Sequence, residues 1–98
     1  MSNYSFSDEA IQDLDEICEY IARTNPKAAS NLFDEIRKKC KLVAGFPNMG
    51  KNYGKLASNL RGFVMDDYIV FYYPQPNGIN VTRVVSGCRD LESLFSDE

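Results

Sequence analysis

The hydrophobic period changes once along this chain, and that change limits the folds that are possible. Up to about residue 45, apolar residues recur every three or four positions, as they do on one face of a helix. After about residue 60, β-branched and aromatic residues dominate, with the period of two that is typical of strands. Neither a helical layer nor a sheet can bury its apolar face alone. The sequence therefore predicts an α+β domain in which helices pack on a small sheet.

Two helices with clear start signals form the first half of this prediction. Ser7 is a good N-cap for the stretch "DEAIQDLDEICEYIA", and Asn25 followed by Pro26 begins the next helix. Gly45 and Pro47 end that second helix. Because the connection between the helices is so short, they should fold back as an αα-hairpin. The stripe predicted to face the sheet contains Leu14, Ile17, Ile21, Leu32, Phe33 and Ile36. A fully buried Phe33 would make Phe33→Ala cost roughly 3–5 kcal/mol.

Three strands follow a Gly-, Asn- and Lys-rich stretch, "NMGKNYGKLASN", which we expect to be a surface loop. The runs "LRGFVM", "YIVFYYP" and "INVTRVVS" are joined by short turns and predict an antiparallel meander. A possible N-terminal edge strand, "YSF", would add a fourth strand. The residues expected to meet the helical stripe are Ile69, Phe71, Val81 and Val85. Leu91, Leu94 and Phe95 have helical spacing, so a short C-terminal helix should pack back on the sheet.

Composition excludes several classes of protein. The chain has 98 residues, which is enough for one domain, and its net charge is -3. A protein that mainly coats nucleic acid needs a surplus of Lys and Arg. The three cysteines fit no zinc motif, and no apolar run is long enough to span a membrane. The first residues also lack the features of a secretory signal. We therefore expect a cytoplasmic protein with reduced thiols and no membrane association.

The order of these elements, together with several local motifs, resembles the ParE branch of the RelE/ParE superfamily, the toxins of bacterial type II toxin–antitoxin modules. The motifs are "SDEAIQDLDEICEYIA", "GFPNMGK" and "NLRGFVMDDYIVFYYPQPNGINVTRVVSGCRDLESLF". The last is the most specific, because Leu60-Arg61, the aromatic strand and the junction Gly87-x-Arg89-Asp90 occur there in the family's order. The resemblance covers nearly the whole chain.

The resemblance implies a function by protein contact. It implies inhibition of DNA gyrase, neutralisation by a ParD-like antitoxin whose C-terminal segment wraps the hairpin and the sheet, and no cofactor or metal. Contact with DNA is expected only through the antitoxin complex. The candidate target-binding residues are Arg61, Arg83, Arg89, Asp90, Leu91, Leu94 and Phe95. The end of the chain is expected to matter more for toxicity than for antitoxin binding, so deleting residues 91–98 should leave a folded chain that still binds antitoxin.

Two alternatives remain open on the same resemblance. RelE-type relatives cleave messenger RNA on the ribosome, and Arg61, Tyr72 and Arg83 are candidate catalytic residues here, with Tyr68 beside them on one sheet surface. The chain has no histidine, however, and Ser86 stands where the family often has one. An Arg can stabilise a developing phosphorane, but another group must move the protons. The other alternative is a relic that binds its antitoxin without being toxic.

Each candidate residue also has a structural interpretation. Arg61 could be a salt-bridge partner at a strand edge, and Arg83 could extend its charged end to solvent from within a strand. Arg89 and Asp90 could form an ion pair at the start of the last helix. A group of lysines either forms a solvated face or contacts an acidic partner: Lys38, Lys39 and Lys41, and Lys51 and Lys55 in the loop.

Overall fold

A computed structural model describes residues 3–87 and 91–95, with a helical hairpin on one face of a five-stranded sheet and a short helix on the other. The elements in chain order are β1 (Asn3–Phe6), α1 (Asp8–Ala22), α2 (Pro26–Gly45), β2 (Lys51–Asn52), β3 (Arg61–Met65), β4 (Tyr68–Gln75), β5 (Gly78–Ser86) and α3 (Leu91–Leu94). The predicted α+β class and the order of its elements are confirmed. Within the described ranges, no helix is both long and apolar enough to cross a membrane.

Both long helices begin where their caps predict. The Ser7 hydroxyl accepts a hydrogen bond from the Ala10 N–H at 3.0 Å, and the Asn25 side chain accepts one from the Ala28 N–H at 3.0 Å. Ser7 also donates to the Thr82 carbonyl at 2.9 Å, which ties the start of α1 to β5. The cap therefore sets the position of the hairpin over the sheet as well as the start of the helix.

The sheet has the strand order β1-β5-β4-β3-β2. The predicted meander of β3, β4 and β5 is confirmed, but β1 pairs with β5 in parallel, so the sheet is mixed and not purely antiparallel. Part of the predicted surface loop is also a strand, because Lys51 and Asn52 pair with Gly62 and Arg61. Two residues carry too little pattern to be recognised as a strand from the sequence.

A bulge in β5 reverses the side-chain alternation. Arg83 lies opposite Phe71 and Val81 lies opposite Tyr72, so Thr82 is an extra residue in β5. An extra residue moves every later side chain to the other face. Val81 and Val84 consequently face the hairpin, whereas Val85 faces away from it. The prediction that Val81 and Val85 share a face was therefore wrong.

The sheet buries both of its faces. The buried residues of the first cluster, between the hairpin and the sheet, are Ala10, Leu14, Leu32, Ile36, Cys40, Val43, Ala44, Phe63, Val70, Tyr72, Ile79, Val81 and Val84. The second cluster, on the opposite face, contains Leu60, Ile69, Phe71 and Val85, with α3 packed against it. Ile69 and Phe71 were thus assigned to the wrong face. The uninterrupted apolar run of β4 fits a strand that is buried on both sides.

Phe33 lies at the edge of the helical stripe and not in its centre. Its side chain is 40% exposed, whereas Leu32 and Ile36 are 5% and 0% exposed. The Arg37 guanidinium lies over the Phe33 ring, 5.8 Å from its centroid. The loss of 3–5 kcal/mol expected for Phe33→Ala required full burial, so that expectation was wrong.

Candidate functional site

The aromatic candidates lie on the face of the sheet that the hairpin covers. Tyr72 is fully buried in the first cluster, and Tyr68 packs against the same cluster. Arg61 shares their face, because it alternates with Phe63 along β3. The expected open surface of Arg61, Tyr68 and Tyr72 is therefore largely an internal face of the molecule.

The Tyr72 hydroxyl holds the loop that follows α2. It donates a hydrogen bond to the Pro47 carbonyl at 2.6 Å and accepts one from the Gly50 N–H at 3.0 Å. Burial raises the pKa of Tyr72 above its ordinary value, while the Gly50 N–H and the Arg61 charge act in the opposite direction. The phenol stays protonated at neutral pH, and its proton is committed to a backbone carbonyl.

Arg61 binds the same loop from the neighbouring strand. It pairs with Tyr72 across β3 and β4, and its Nη1 donates to the carbonyls of Asn48 at 3.0 Å and Gly50 at 2.7 Å. The partners found for Arg61 in the described part of the chain are these carbonyls, and not the carboxylate of a salt bridge. Arg61 and Tyr72 together form a clamp on residues 47–50.

A polar cavity of about 470 Å³ lies beside this clamp. Its polar lining consists of Asn48, Asn52, Ser58, Asn59 and Arg61. These groups can hydrogen-bond a polar chain, and Arg61 can stabilise negative charge. None of them is a general base at neutral pH, so the cavity has the chemistry of recognition and not of proton transfer.

Arg83 forms an ion pair with a helix residue that the sequence analysis did not select. Its Nε and Nη2 donate to the two oxygens of Asp13 at 2.8 and 3.1 Å, and the Val84 N–H donates to Asp13 Oδ2 at 2.9 Å. The hydrogen bond that Arg83 donates to Asp13 is the main cause that raises the pKa of Arg83. The available signal was position: Asp13 stands three residues after Ala10 and four before Ile17, at the margin of the apolar stripe.

The C-terminal candidates lie on the other face of the sheet. Leu91, Leu94 and Phe95 pack against the second cluster, and the Phe95 ring meets the Phe71 ring edge-on at 5.0 Å. The predicted docking of this short helix on the sheet is confirmed. Arg89 and Asp90 lie outside the described residues.

The candidate residues therefore fall in three separate places. Arg61 and Tyr72 meet at the loop clamp, Arg83 is bound to α1, and the tail packs on the opposite face. Over residues 3–87 and 91–95, no group of three or more His, Cys, Asp or Glu side chains is placed to hold a metal ion.

A family model matches most of this chain. The model of the ParE toxin of the type II toxin-antitoxin system parDE matches residues 4–91. A comparison with curated protein sequences gave no match. A solved structure of the chromosomal ParDE TA system from P. aeruginosa has the same fold, with a TM-score of 0.73 at 17% identity over 88% of this chain and 96% of that one. Because the family match extends from β1 into α3, the chain belongs to the ParE toxin family of type II toxin–antitoxin systems.

Proposed function

We propose that this chain is a toxin that inhibits DNA gyrase by direct protein contact and is neutralised by a ParD-like antitoxin. The proposal rests on the membership of this chain in the ParE family and on the bonds that its candidate catalytic residues already make within the fold. Tyr72 and Arg83 are both engaged in bonds that hold the fold. The proposal places the chain in the cytoplasm, where it requires no cofactor.

The state of Tyr72 argues against the alternative of messenger RNA cleavage. A nuclease needs a group that accepts and returns protons at the scissile phosphate. The chain contains no histidine, and the hydroxyl of Tyr72 is buried and has hydrogen-bond partners on both sides. Arg61 can stabilise charge but cannot transfer a proton at neutral pH.

The antitoxin is proposed to cover the exposed apolar side chains of the hairpin. Ile11 and Tyr20 on α1 are 47% and 70% exposed, and Phe33 on α2 is 40% exposed. A segment that is disordered when free can fold along such a surface and bury these side chains. This supports a partner that wraps the hairpin.

Contact with the target is proposed for Arg61, Arg83, Arg89, Asp90, Leu91, Leu94 and Phe95. Because the tail packs on the sheet, deleting it would remove target contacts and also lower the stability of the fold. A loss of toxicity could then not be assigned to the contacts alone. Arg89→Glu is the cleaner change, because it keeps Leu91, Leu94 and Phe95. We expect this variant to arrest growth less strongly while binding antitoxin as the parent does.

Three assays test the gyrase proposal. The chain is induced in bacteria alone and together with its neighbouring reading frame, and growth arrest that the neighbour relieves is expected. Purified gyrase with the chain should lose supercoiling activity and accumulate cleaved DNA. Gyrase that remains fully active at saturating toxin would refute the proposed target.

Primer extension on cellular messenger RNA separates the alternative. Cleavage within translated codons after induction would favour the nuclease, and its loss in Tyr72→Phe would assign the proton transfer to that residue. We expect no such cleavage. Tyr72→Phe should still arrest growth provided that it co-purifies with the antitoxin, which shows that the variant folds.

A further inference from the structure

The charges of this chain are strongly segregated. Residues 36–65 contain seven Lys and Arg and no Asp or Glu, although the whole chain has a net charge of -3. In contrast, α1 contains six acidic residues and no basic one. The segment 36–65 comprises the second half of α2, the following loop, β2 and β3. This stretch of an acidic protein is therefore positively charged.

A small groove is lined by residues of this stretch, between α2 and the edge of the sheet. We call it the basic groove; its main lining residues are Lys39, Val43, Met49, Lys51, Phe63 and Val64. Its volume is about 160 Å³. Met49 is 49% exposed and Val64 is 66% exposed, so the apolar part of the lining is accessible from solvent. The lining thus combines apolar side chains with two lysines. Lys39 lies on α2, on the hairpin side of the sheet, whereas Lys51 pairs with Gly62 and shares the face of Phe71 on the other side.

The free edge of β3 runs along this groove. β2 pairs only with Arg61 and Gly62, so residues 63–65 have no strand neighbour on that side of the described sheet. The Leu60 carbonyl accepts from the Tyr53 N–H at 2.8 Å and so points toward that edge. Backbone direction repeats every second residue in a strand. The N–H and C=O of Val64 therefore point outward as well.

We propose that the basic groove binds an extended segment of a partner protein in which apolar and acidic residues alternate, and that this segment adds to β3 as a further strand. The backbone of the segment would pair with Val64. Because side chains alternate along a strand, its apolar side chains would cover Met49 and Phe63 on the hairpin face, and its carboxylates would meet Lys51 on the other face. The inference concerns the chemistry of the partner and does not depend on gyrase being the target.

The same observations disfavour two other occupants. A second copy of this chain could offer β1 as an edge strand, but "NYSF" has no acidic residue to meet the lysines. A nucleic acid would satisfy the lysines, but it would leave the free strand edge unpaired and would gain little from the exposed aliphatic side chain of Val64.

Binding is tested on the full chain, made by cell-free synthesis with isotope labelling. Two blocked synthetic peptides of strand length serve as probes, one alternating valine with glutamate and the other valine with lysine. The glutamate peptide should shift the amide signals of residues 49–51 and 62–65. It should bind roughly tenfold or more tightly than the lysine peptide.

Variants assign the contacts. Lys51→Glu should weaken binding of the glutamate peptide by roughly tenfold, and Lys39→Glu should weaken it less, because Lys39 lies on the side of the apolar side chains. Lys27→Glu is the matched control, because it makes the same charge change at an exposed position outside the groove and should leave binding unchanged. Val64→Pro removes the outward N–H without removing a β3–β4 hydrogen bond. It should abolish the peptide-induced shifts. Thermal melting of the variant should show that the fold persists.

Several results would overturn the proposal. They are the absence of peptide-induced shifts, equal affinity for both peptides, or unchanged affinity in Lys51→Glu. Displacement of the glutamate peptide by oligothymidylate at lower concentration would indicate a nucleic-acid surface instead. A dimer detected by sedimentation, with the same amide signals shifted in the absence of peptide, would assign the groove to self-association. None of these readouts measures growth arrest, so they leave the gyrase proposal untouched.

Discussion

Asp13 replaces a missing strand at the edge of the sheet. β1 pairs with residues 78–81 of β5 and ends at Phe6, so among the described strands none lies beside Val84 on that side. Asp13 accepts the Val84 N–H on that side and holds the Arg83 guanidinium with the same carboxylate. Its side chain is only 14% exposed, so these bonds are shielded from water. One carboxylate thereby joins α1 to the sheet.

We expect Asp13→Ala to lower the free energy of unfolding by roughly 2–4 kcal/mol, because it leaves a partly buried guanidinium and a backbone N–H without their partner. Asp15→Ala is the matched control, since Asp15 is exposed on the same helix. Urea unfolding of both variants gives the comparison. Equal stability of the two variants would show that the ion pair is only a surface contact.

The bulge at Thr82 lets one strand serve two cores. Val81 and Val84 pack under the hairpin, and Val85 packs under α3, because the extra residue shifts the alternation by one. Without it, the second half of β5 would present the opposite side chains to each layer. The contribution of β5 to the core under α3 therefore depends on this irregularity.

At the other end of β5, Gly78 allows the parallel pairing of β1. Its φ is +149°, and a Cβ there would collide with the backbone of Asn3. The unfavourable conformation alone should make Gly78→Ala cost roughly 1–3 kcal/mol, and the collision should loosen β1. Gly87→Ala is the control, because its nearest contact would be the Asp67 carbonyl at 3.6 Å. Hydrogen exchange should show faster exchange in β1 for Gly78→Ala alone; unchanged protection would contradict the assigned role.

The C-terminal element α3 covers the second core. Phe95 is half-buried against Phe71, so Phe95→Ala should cost roughly 1–3 kcal/mol, less than a fully buried ring. Val64→Ala is the control, because Val64 lies opposite Ile69 on the same face but is exposed. Chemical unfolding measures both. A Phe95→Ala variant as stable as Val64→Ala would mean that α3 contributes no packing energy.

The same packing changes the expectation for a shortened chain. Without residues 91–98, the buried side chains of Ile69, Phe71 and Val85 would lose part of their cover. A truncated chain should therefore be less stable than the sequence analysis assumed, and loss of toxicity in it would not by itself identify a contact surface.

The whole molecule should lose stability in alkaline solution. Burial raises the pKa of the Cys40 thiol from 9.0 to about 12, so the unfolded chain releases this proton at lower pH than the folded one. The folded state then binds more protons above pH 9, and its stability should fall by about 1.4 kcal/mol per pH unit until the folded pKa is reached. Burial also raises the pKa of Tyr68 and Tyr72, which acts in the same direction.

Urea unfolding at a series of pH values from 8 upward measures this slope. Cys40→Ala is the matched variant, because it keeps a small apolar side chain and removes the thiol. The slope of its stability against pH should be smaller than that of the parent by about the contribution of one proton. Parallel slopes for the two chains would show that Cys40 does not titrate differently on folding.

Local chemistry determined much of this protein from the sequence by itself. Caps such as Ser7 and Asn25 act on their own helix, and turns and apolar periods act over a few residues, so the helices, the meander and the α+β class could be predicted. The family resemblance came from the same ordered motifs. These features do not depend on contacts between distant parts of the chain.

The tertiary structure alone decided which side chains meet. An unseen bulge at Thr82 reversed the faces of β5, and the parallel pairing of β1 depends on residues more than seventy positions apart. Asp13 and Arg83 had no local signal for each other, and Tyr72 looked like an open site residue until its hydroxyl was found between Pro47 and Gly50. Hydrophobic periodicity gives the apolar face of an element, but not the partner that covers it, because that choice is made by the packing of the whole chain.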